Sequence, residues 1–285
     1  MIRSAVFLIR TADRKGLLAA ITGFFAVREL NILECRQYSD ILEKKYYMRV
    51  AVELPDELTR AELEAQFGEL AARLELTFSV HYSGEVQNVA VMVSKTRHCL
   101  YDLLTAAEEN LLGGGRVTLV IGNHPELEDV AAKFQVPFYC CPVTASGDRE
   151  QEAKVMELID RHRIDLVVLA RYMRILSDDF IRRYPEKIIN IHHAFLPAFM
   201  GGNPYQRAWE RGVKMIGATA HYATADLDEG PIIEQDVERT THESLPDDLR
   251  RRGRDIERRV LTRAVRAHLE HRVIISGQRT IVFSA

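Results

Sequence analysis

An amide, an imidazole and a carboxylate stand out in the second half of the chain, because together they could catalyse acyl transfer. Asn190 and His192 lie in an apolar run, and Asp228 follows in an acidic segment that ends in Gly-Pro-Ile-Ile. An amide N–H can donate to a developing oxyanion, an imidazole can move a proton, and a carboxylate can orient the imidazole or a water. No serine or cysteine stands in a nucleophile-elbow setting here, so the residues favour direct attack by water or an amine over a covalent intermediate.

The apolar run 188–191 predicts a short buried strand that ends at a crevice, where open α/β sheets bind their ligands. Because side chains alternate along a strand, we expect Asn190 and His192 on one face and Ile191 and His193 on the other. An alternative stays open, since an amide and an imidazole at a strand end also serve to bind stray main-chain groups.

The wider pattern around these residues resembles the folate-dependent formyltransferases. It consists of Asn-x-His, Leu-Pro, a glycine, a Gly-Ala-Thr strand and Asp-x-Asp-x-Gly-Pro-Ile-Ile, and the likeness runs from about Val89 to the C-terminus. Within that family the form at 190–199 is most similar to the formyltetrahydrofolate deformylases. The resemblance implies that Asn190, His192 and Asp228 are catalytic. It also implies a hydrolase that converts 10-formyltetrahydrofolate and water to formate and tetrahydrofolate, in support of one-carbon and purine metabolism.

The same resemblance implies where the folate binds. The segment 169–176 is similar to the family segment that receives the pterin ring, which would contact apolar side chains and pair with main-chain groups. The loop 224–228 would close the other side. The substrate-binding residues implied in this way are Met173, Arg174, Leu176, Ala225 and Asp226. Taken without the wider match, Met173 and Ile175 are more typical of a plain core.

The chain departs from the family pattern at several positions. Ala194 stands where a serine is more usual, and 202–204 replaces a more typical alanine-basic-proline sequence. The turn 94–98 after the first strand of this region has no glycine, whereas the purine-pathway formyltransferases have a glycine-rich turn there for their phosphorylated acceptor. Its absence favours water as the acceptor. Lys95 and Arg97 could still bind an anion, or they could be solvated loop charges.

The histidines do not form a metal-binding pattern. His192, His193 and His221 lie near acidic residues, but the sequence contains no HExxH motif and no other ligand spacing of that kind. We therefore expect no metal and no cofactor besides the folate substrate. His193 is expected to support the site from behind, and His221 to line it or to bind a main-chain carbonyl.

Length and composition limit the class of protein. A chain of 285 residues has enough apolar material for two domains. Its net charge of −3 argues against nucleic acid as the main partner. Four cysteines without CxxC spacing indicate free thiols in a reducing compartment. No run approaches the roughly 18 apolar residues of a membrane span, and no signal-peptide pattern is present. We expect a cytoplasmic protein without membrane contact.

Residues 1–84 have the order βαββαβ, which predicts a small two-layer sandwich. The segment 13–17 together with Asn31 resembles the ACT domains, regulatory modules that often bind amino acids. The resemblance implies an amino-acid effector, with Asp13, Arg14, Gly16 and Asn31 as its candidate contacts. In the alternative, the module only assembles subunits into a homo-oligomer, a dimer or tetramer, by sheet pairing, with Asp13 capping a helix and Asn31 forming a turn.

Residues 85–285 alternate apolar strands with amphipathic helices, so the fold class is α/β with a doubly wound, mostly parallel, Rossmann-like sheet. The strands predicted at 215–222 and 232–237 could be antiparallel, and a charged helix of mixed sign and a hairpin end the chain. The sequence leaves three hypotheses: a water-using deformylase, a formyltransferase with an amine acceptor, and a sensor that binds folate and an amino acid without turnover.

Overall fold

The computed structural model describes residues 3–143, 148–197 and 204–285. The chain forms two compact units. The first comprises residues up to 85 together with 271–274 and 281–285, and the second comprises 86–270 and 275–280. The sequence analysis assigned all of the C-terminal hairpin to the second domain. Its outer residues belong to the first unit because Ile274 and Phe283 pack in a buried cluster with Tyr47.

The first unit has the predicted βαββαβ order. Its elements are β1 Ser4–Ala12, α1 Leu17–Val27, β2 Ile32–Asp40, β3 Lys45–Glu53, α2 Arg60–Arg73 and β4 Thr77–Tyr82. The four strands form an antiparallel sheet in the order β2-β3-β1-β4. Both helices contribute to one core, in which the rings of Phe7, Phe25 and Phe67 lie within 6 Å of one another.

The starts of the two helices in this unit differ. Thr59 caps α2 in a capping box, since its hydroxyl accepts from the Glu62 N–H and the Glu62 carboxylate accepts from the Thr59 N–H. By contrast, α1 begins after Gly16, whose φ of 87° lies in the left-handed region, and no side chain caps it. The alternative in which Asp13 caps this helix is therefore wrong.

The second unit is a doubly wound α/β sheet, as predicted. Its elements are β5 Gln87–Val93, α3 His98–Glu108, β6 Gly115–Gly122, a 3₁₀ turn Pro125–Leu127, α4 Glu128–Lys133, β7 Phe138–Cys140, α5 Asp148–Arg161, β8 Leu166–Ala170, α6 Asp178–Arg183, β9 Ile188–His192, α7 Pro204–Glu210, β10 Met215–Tyr222, β11 Ile232–Arg239 and α8 Pro246–Leu269. Of these, α7 was not predicted. The residues of the hairpin strands β12 Val273–Ser276 and β13 Arg279–Val282 are divided between the two units. The last two strands form a separate two-stranded sheet.

The seven-stranded sheet has the order β11-β10-β9-β8-β5-β6-β7. The five strands from β5 to β9 pair in parallel, while β10 pairs antiparallel with both β9 and β11. The chain goes from β5 outward through β6 to β7 and then returns to β8 on the other side of β5. The carboxyl ends of β5, β8 and β9 therefore meet where the strand order reverses, which is the usual ligand position in such sheets.

Two smaller expectations concern the cysteines and membranes. All four cysteines are free, as predicted, with Cys141 buried and Cys140 exposed at the end of β7. None of the described helices is long and apolar enough to cross a membrane.

Candidate active site

The three residues proposed as catalytic converge at one edge of the larger sheet. Asn190 and His192 lie on β9, and Asp228 lies in the loop between β10 and β11. The His192 Nδ1 is 3.1 Å from Asp228 Oδ1, and the Asp228 side chain is only 11% exposed. A carboxylate and an imidazole that are 36 positions apart in sequence thus form a buried hydrogen-bonded pair.

Strand register brings Asn190 to His221. The two residues are direct partners across the β9–β10 pairing, and Asn190 Nδ2 lies 3.2 Å from His221 Nε2. The His221 Nδ1 is 2.9 Å from the carbonyl oxygen of Tyr222, which can only accept, so Nδ1 carries the hydrogen and Nε2 accepts from the amide. Burial lowers the pKa of His221 and favours this neutral form. One amide N–H of Asn190 is thereby used, and the other remains to bind substrate.

The Asp228 carboxylate sets the tautomer of His192. Burial alone would raise the pKa of Asp228, but the His192 hydrogen bond and the adjacent imidazoles outweigh it, so the pKa lies below its ordinary value. The ionised carboxylate accepts from Nδ1–H, which leaves the lone pair on Nε2. His192 Nε2 is buried and has no hydrogen-bond partner among the described residues. An unpaired basic nitrogen at this point is suited to accept a proton from water.

Thr219 holds the turn that follows β9. It is the β10 partner of His192 and is fully buried. Its hydroxyl donates to the Ala194 carbonyl at 2.9 Å and accepts from the Leu196 N–H at 3.0 Å and from the Gln235 amide at 2.9 Å. The departure at Ala194 therefore leaves the main chain of the turn hydrogen-bonded. Residues 202 and 203 of the other departure lie outside the described residues. The same holds for Ala198 and Phe199, which belong to the segment that resembles the deformylases.

Gly230 gives the Asp228 loop the space to pass the end of β10. A Cβ at this position would lie 1.7 Å from the Tyr222 carbonyl oxygen, which accepts from His221. We expect Gly230→Ala to destabilise the protein by about 1–3 kcal/mol and to lower kcat about tenfold or more, since misplacement of catalytic groups is costly. Thermal unfolding and turnover would be measured. Gly68→Ala is the control, because a Cβ there meets nothing within 4 Å in helix α2.

His193 does not point away from His192. The strand ends at His192, so the alternation of side chains stops there. The two rings instead stack, with their centroids 5.2 Å apart. The prediction that His193 projects to the opposite face is therefore wrong. Burial, followed by the positive charge of Arg171, lowers the pKa of His193 to about 4, so this ring is neutral at physiological pH.

A pH dependence of stability follows from His193. Because its pKa is about 4 in the folded state and about 6.5 in an unfolded chain, the unfolded state binds the proton first. Its contribution to stability is complete above about pH 6.5 and is lost as the pH falls towards 4. We expect the urea midpoint of His193→Gln to fall less between pH 7 and pH 5 than that of the unchanged protein. His242→Gln, at an exposed position, is the control, and an equal fall in both proteins would contradict the prediction.

The residues implied as substrate contacts lie after β8 and in the loop that carries Asp228. Met173 and Ile175 are 60% and 68% exposed, so the alternative that they belong to a plain core is wrong. The Met173 N–H donates to the Ser94 hydroxyl at 3.1 Å, which fixes the segment after β8. Arg174 is exposed and Leu176 is partly buried against the core, while Ala225 and Asp226 are exposed in the loop that carries Asp228. The exposed apolar side chains are available to a flat heterocycle.

A buried ionic network was missed by the sequence analysis. Glu257, on α8, is 1% exposed and lies 2.9 Å from His98 Nε2, 2.5 Å from the Tyr205 hydroxyl and 3.4 Å from Arg171 Nε. Burial would raise the pKa of Glu257, but His98 and Arg171 hold it below its ordinary value. From the sequence, Glu257 was only one of the mixed charges of the C-terminal helix, which was expected to be solvated or to face another subunit. No local pattern could have identified its partners, which lie up to 159 residues away.

This network contains the one set of side chains among the described residues with metal-ligand geometry. Potential ligand atoms of His98, Cys99 and Glu257 lie within 4.8 Å of one another. The donors fit a metal poorly, because Arg171 already supplies a positive charge to Glu257. Burial also raises the pKa of the Cys99 thiol, which disfavours the thiolate that a metal would need. The expectation of no metal or cofactor stays a prediction.

The candidate effector residues of the first unit have separate partners. Arg14 donates to the Leu74 carbonyl, and the Asn31 amide lies 3.3 Å from a Glu53 carboxylate oxygen. Asp13 and Gly16 lie in the turn before α1. These contacts do not assemble the four residues into one cluster, and the effector site stays a prediction.

Comparison with known proteins places the chain in a family. Residues 87–265 match the formyl transferase family. The chain is 46% identical to a formyltetrahydrofolate deformylase of Synechocystis sp. over 99% of both chains, and 42% identical to that of Bacillus subtilis over 97% and 93%.

Solved structures agree with the sequence comparison. A deformylase from Pseudomonas syringae pv. tomato has a TM-score of 0.95 and 38% identity, covering 100% of this chain and 95% of that one. Glycinamide ribonucleotide transformylase 1 from Symbiobacterium toebii has a TM-score of 0.67 and 31% identity. That match covers 72% of this chain and 97% of the transformylase chain. Since the match to the deformylases spans both units, the chain belongs to the formyltetrahydrofolate deformylase family.

Proposed function

We propose that this protein hydrolyses 10-formyltetrahydrofolate to formate and tetrahydrofolate. The observation that carries the proposal is the arrangement of the catalytic residues. Asp228 holds His192 with its Nε2 lone pair unpaired, and His221 holds Asn190 with one amide N–H unused. Membership of the deformylase family supports the same activity over the whole chain.

Each residue has a distinct part in the reaction. Water attacks the formyl carbon while His192 Nε2 accepts its proton, and Asp228 stabilises the resulting imidazolium. The Asn190 N–H donates to the oxyanion of the tetrahedral intermediate. As the intermediate collapses, the carbon–nitrogen bond breaks and the N10 nitrogen takes the proton that His192 received from water. The formic acid that is released loses its own proton to solvent and becomes formate. His221 positions Asn190 without contacting the reacting atoms.

The folate is proposed to bind along the segment after β8. The pterin ring would contact Met173 and pair with main-chain groups of Arg174 and Leu176, and the loop with Ala225 and Asp226 would close over it. The exposure of Met173 and the fixed position of its N–H support this arrangement. We propose no metal and no second cofactor, because the His192 imidazole serves as the base and the Asn190 amide stabilises the oxyanion.

The direct test is release of formate from 10-formyltetrahydrofolate without any added acceptor. We expect Asn190→Ala to lower kcat about 10²- to 10³-fold, since it loses one oxyanion donor. KM should change little if the amide acts mainly on the transition state. Gln278→Ala is the control, because it removes an exposed amide in the turn between β12 and β13. Equal activity of Asn190→Ala and the unchanged protein would contradict the assignment.

Formyl transfer to an amine is the second candidate, favoured by the likeness to glycinamide ribonucleotide transformylases. The absence of glycine from 94–98 argues against a phosphorylated acceptor. The assay distinguishes the two: a transferase would turn over only slowly without an amine, and with one it would form the N-formyl amine instead of releasing formate.

The first unit is proposed to be an ACT-like regulatory module. The βαββαβ order, the sheet order and the uncapped start of α1 support this assignment, because exposed helix N–H groups receive carboxylates. An amino-acid effector would bind near Asp13, Arg14, Gly16 and Asn31, and the module would also assemble a dimer or tetramer. The protein would act in the cytoplasm, in one-carbon and purine metabolism. Titration calorimetry with each amino acid and light scattering would test these assignments.

A further inference from the structure

A cavity opens at the carboxyl end of β8, the strand that pairs with the catalytic strand β9. It has a volume of about 490 Å³ and lies at the carboxyl ends of β5, β6, β7 and β8. Ser94, Asn123 and Arg171 each directly follow one of these strands and line it. Met173 and Arg174 also reach it from the proposed folate segment, but Asn190, His192 and Asp228 do not line it. The proposed reaction assigns no role to this space.

Arg171 lines the cavity, and two of its buried donors have no partner among the described residues. Its backbone has a φ of 62°, in the left-handed region, and its side chain is only 15% exposed. Nε lies 3.4 Å from Glu257 Oε2, yet Nε and Nη1 form no hydrogen bond with any described residue. Buried donors without a partner are unfavourable, and an anion or a water that reached the guanidinium from the cavity would lower that cost.

The other residues of the cavity wall also suit an anion. Lys95 is a second cation in the wall, with its Nζ 3.3 Å from Glu126, and no described residue of the wall carries a carboxylate. Asn123 is 6% exposed, and its Oδ1 has no hydrogen-bond partner among the described residues. It could accept from a water that accompanies an anion. Cations, unused donors and one unused acceptor together describe a site for a small hydrated anion.

We propose that this cavity binds a small carboxylate and that formate is its ligand. The identity of the anion rests on the proposed hydrolysis, which releases formate at the neighbouring strand. Leu169 of β8 pairs with Asn190 of β9, so the end of β8 and the catalytic residues are adjacent. The planar guanidinium of Arg171 matches the two oxygens of a carboxylate. Formate leaving the catalytic residues would be held there before it reaches solvent.

The test is a titration of the protein with ¹³C-labelled formate, without substrate, followed by NMR line broadening. We expect Arg171→Gln to weaken formate binding about tenfold or more, because charged hydrogen bonds are lost. Lys95→Gln should weaken it by a smaller factor. Lys154→Gln is the matched control, since Lys154 is also 61% exposed and paired with a glutamate, at 3.7 Å. Asn190→Ala should leave formate binding unchanged.

Several results would overturn the proposal. The first is an equal formate affinity in Arg171→Gln and the unchanged protein. The second is loss of formate binding in Asn190→Ala but not in Arg171→Gln. The third is displacement of formate by inorganic phosphate at a concentration below that of formate. If Arg171→Gln does not fold, Arg171→Lys replaces it, since it keeps the charge near Glu257 and loses the planar fork. Hydrolysis without formate binding would contradict only this inference, whereas formate binding without hydrolysis would contradict only the proposed function.

Discussion

Replacement of Asp228 by asparagine is expected to lower kcat by about 10²- to 10⁴-fold. The carboxylate accepts from His192 Nδ1–H at 3.1 Å and leaves the Nε2 lone pair on the opposite side of the ring. An amide that turns its NH₂ group to Nδ1 would favour the other tautomer, in which Nε2 carries the hydrogen and cannot accept a proton. The imidazolium formed during the reaction would also lose the negative charge beside it.

Steady-state formate release would measure this effect, and binding of a non-hydrolysable folate analogue would show whether the site still forms. We expect analogue affinity to change by less than about threefold, because the substitution preserves size. Glu229→Gln is the control, since it removes an exposed carboxylate next to Asp228. A kcat for Asp228→Asn within about threefold of the unchanged value would remove Asp228 from the proposed mechanism.

The largest loss of stability is expected at Glu257. Glu257→Ala deletes the carboxylate that binds His98, Tyr205 and Arg171, and it leaves the Arg171 guanidinium buried without a counter-charge. Breaking a buried pair in this way costs about 3–5 kcal/mol of unfolding free energy. Chemical denaturation would measure it.

Asp255→Ala provides the comparison on the same helix. Asp255 is 52% exposed and pairs with Arg258 at 3.1 Å, so its loss should change stability by at most about 1 kcal/mol. If the two substitutions had equal effects, the network around Glu257 would be no more than a set of surface-like contacts. A double substitution of Arg171 and Glu257 should restore part of the stability, because neither charge is then left alone.

Much of the fold could be predicted from the sequence because local patterns specify its elements. Apolar runs of four to seven residues coincide with strands β5, β6, β8 and β9, and a local capping box at Thr59 begins helix α2. Period-two and period-3.6 patterns depend on backbone geometry over a few residues, so they survive without knowledge of the rest of the chain. The antiparallel addition of β10 and β11 was also consistent with the sequence.

The errors all concern residues at the limits of elements or contacts between distant segments. His193 stacks on His192 because the strand stops one residue earlier than alternation assumes. Met173 is exposed because the chain after β8 is irregular, so its apolar character did not indicate burial. The end of the chain joins the first unit through Ile274 and Phe283, which pack with Tyr47 more than 200 residues earlier.

The sequence by itself determined the kinds of chemical groups, the strand that carries Asn190 and His192, and the alternation that produces a parallel sheet. Only the tertiary structure decided which groups face each other: Asp228 with His192, His221 with Asn190, and Glu257 with Arg171. The reason is that secondary structure follows from interactions over a few residues. The side chains that meet at the end of a sheet are brought there by strand order, register and the path of loops, which no short window of sequence contains.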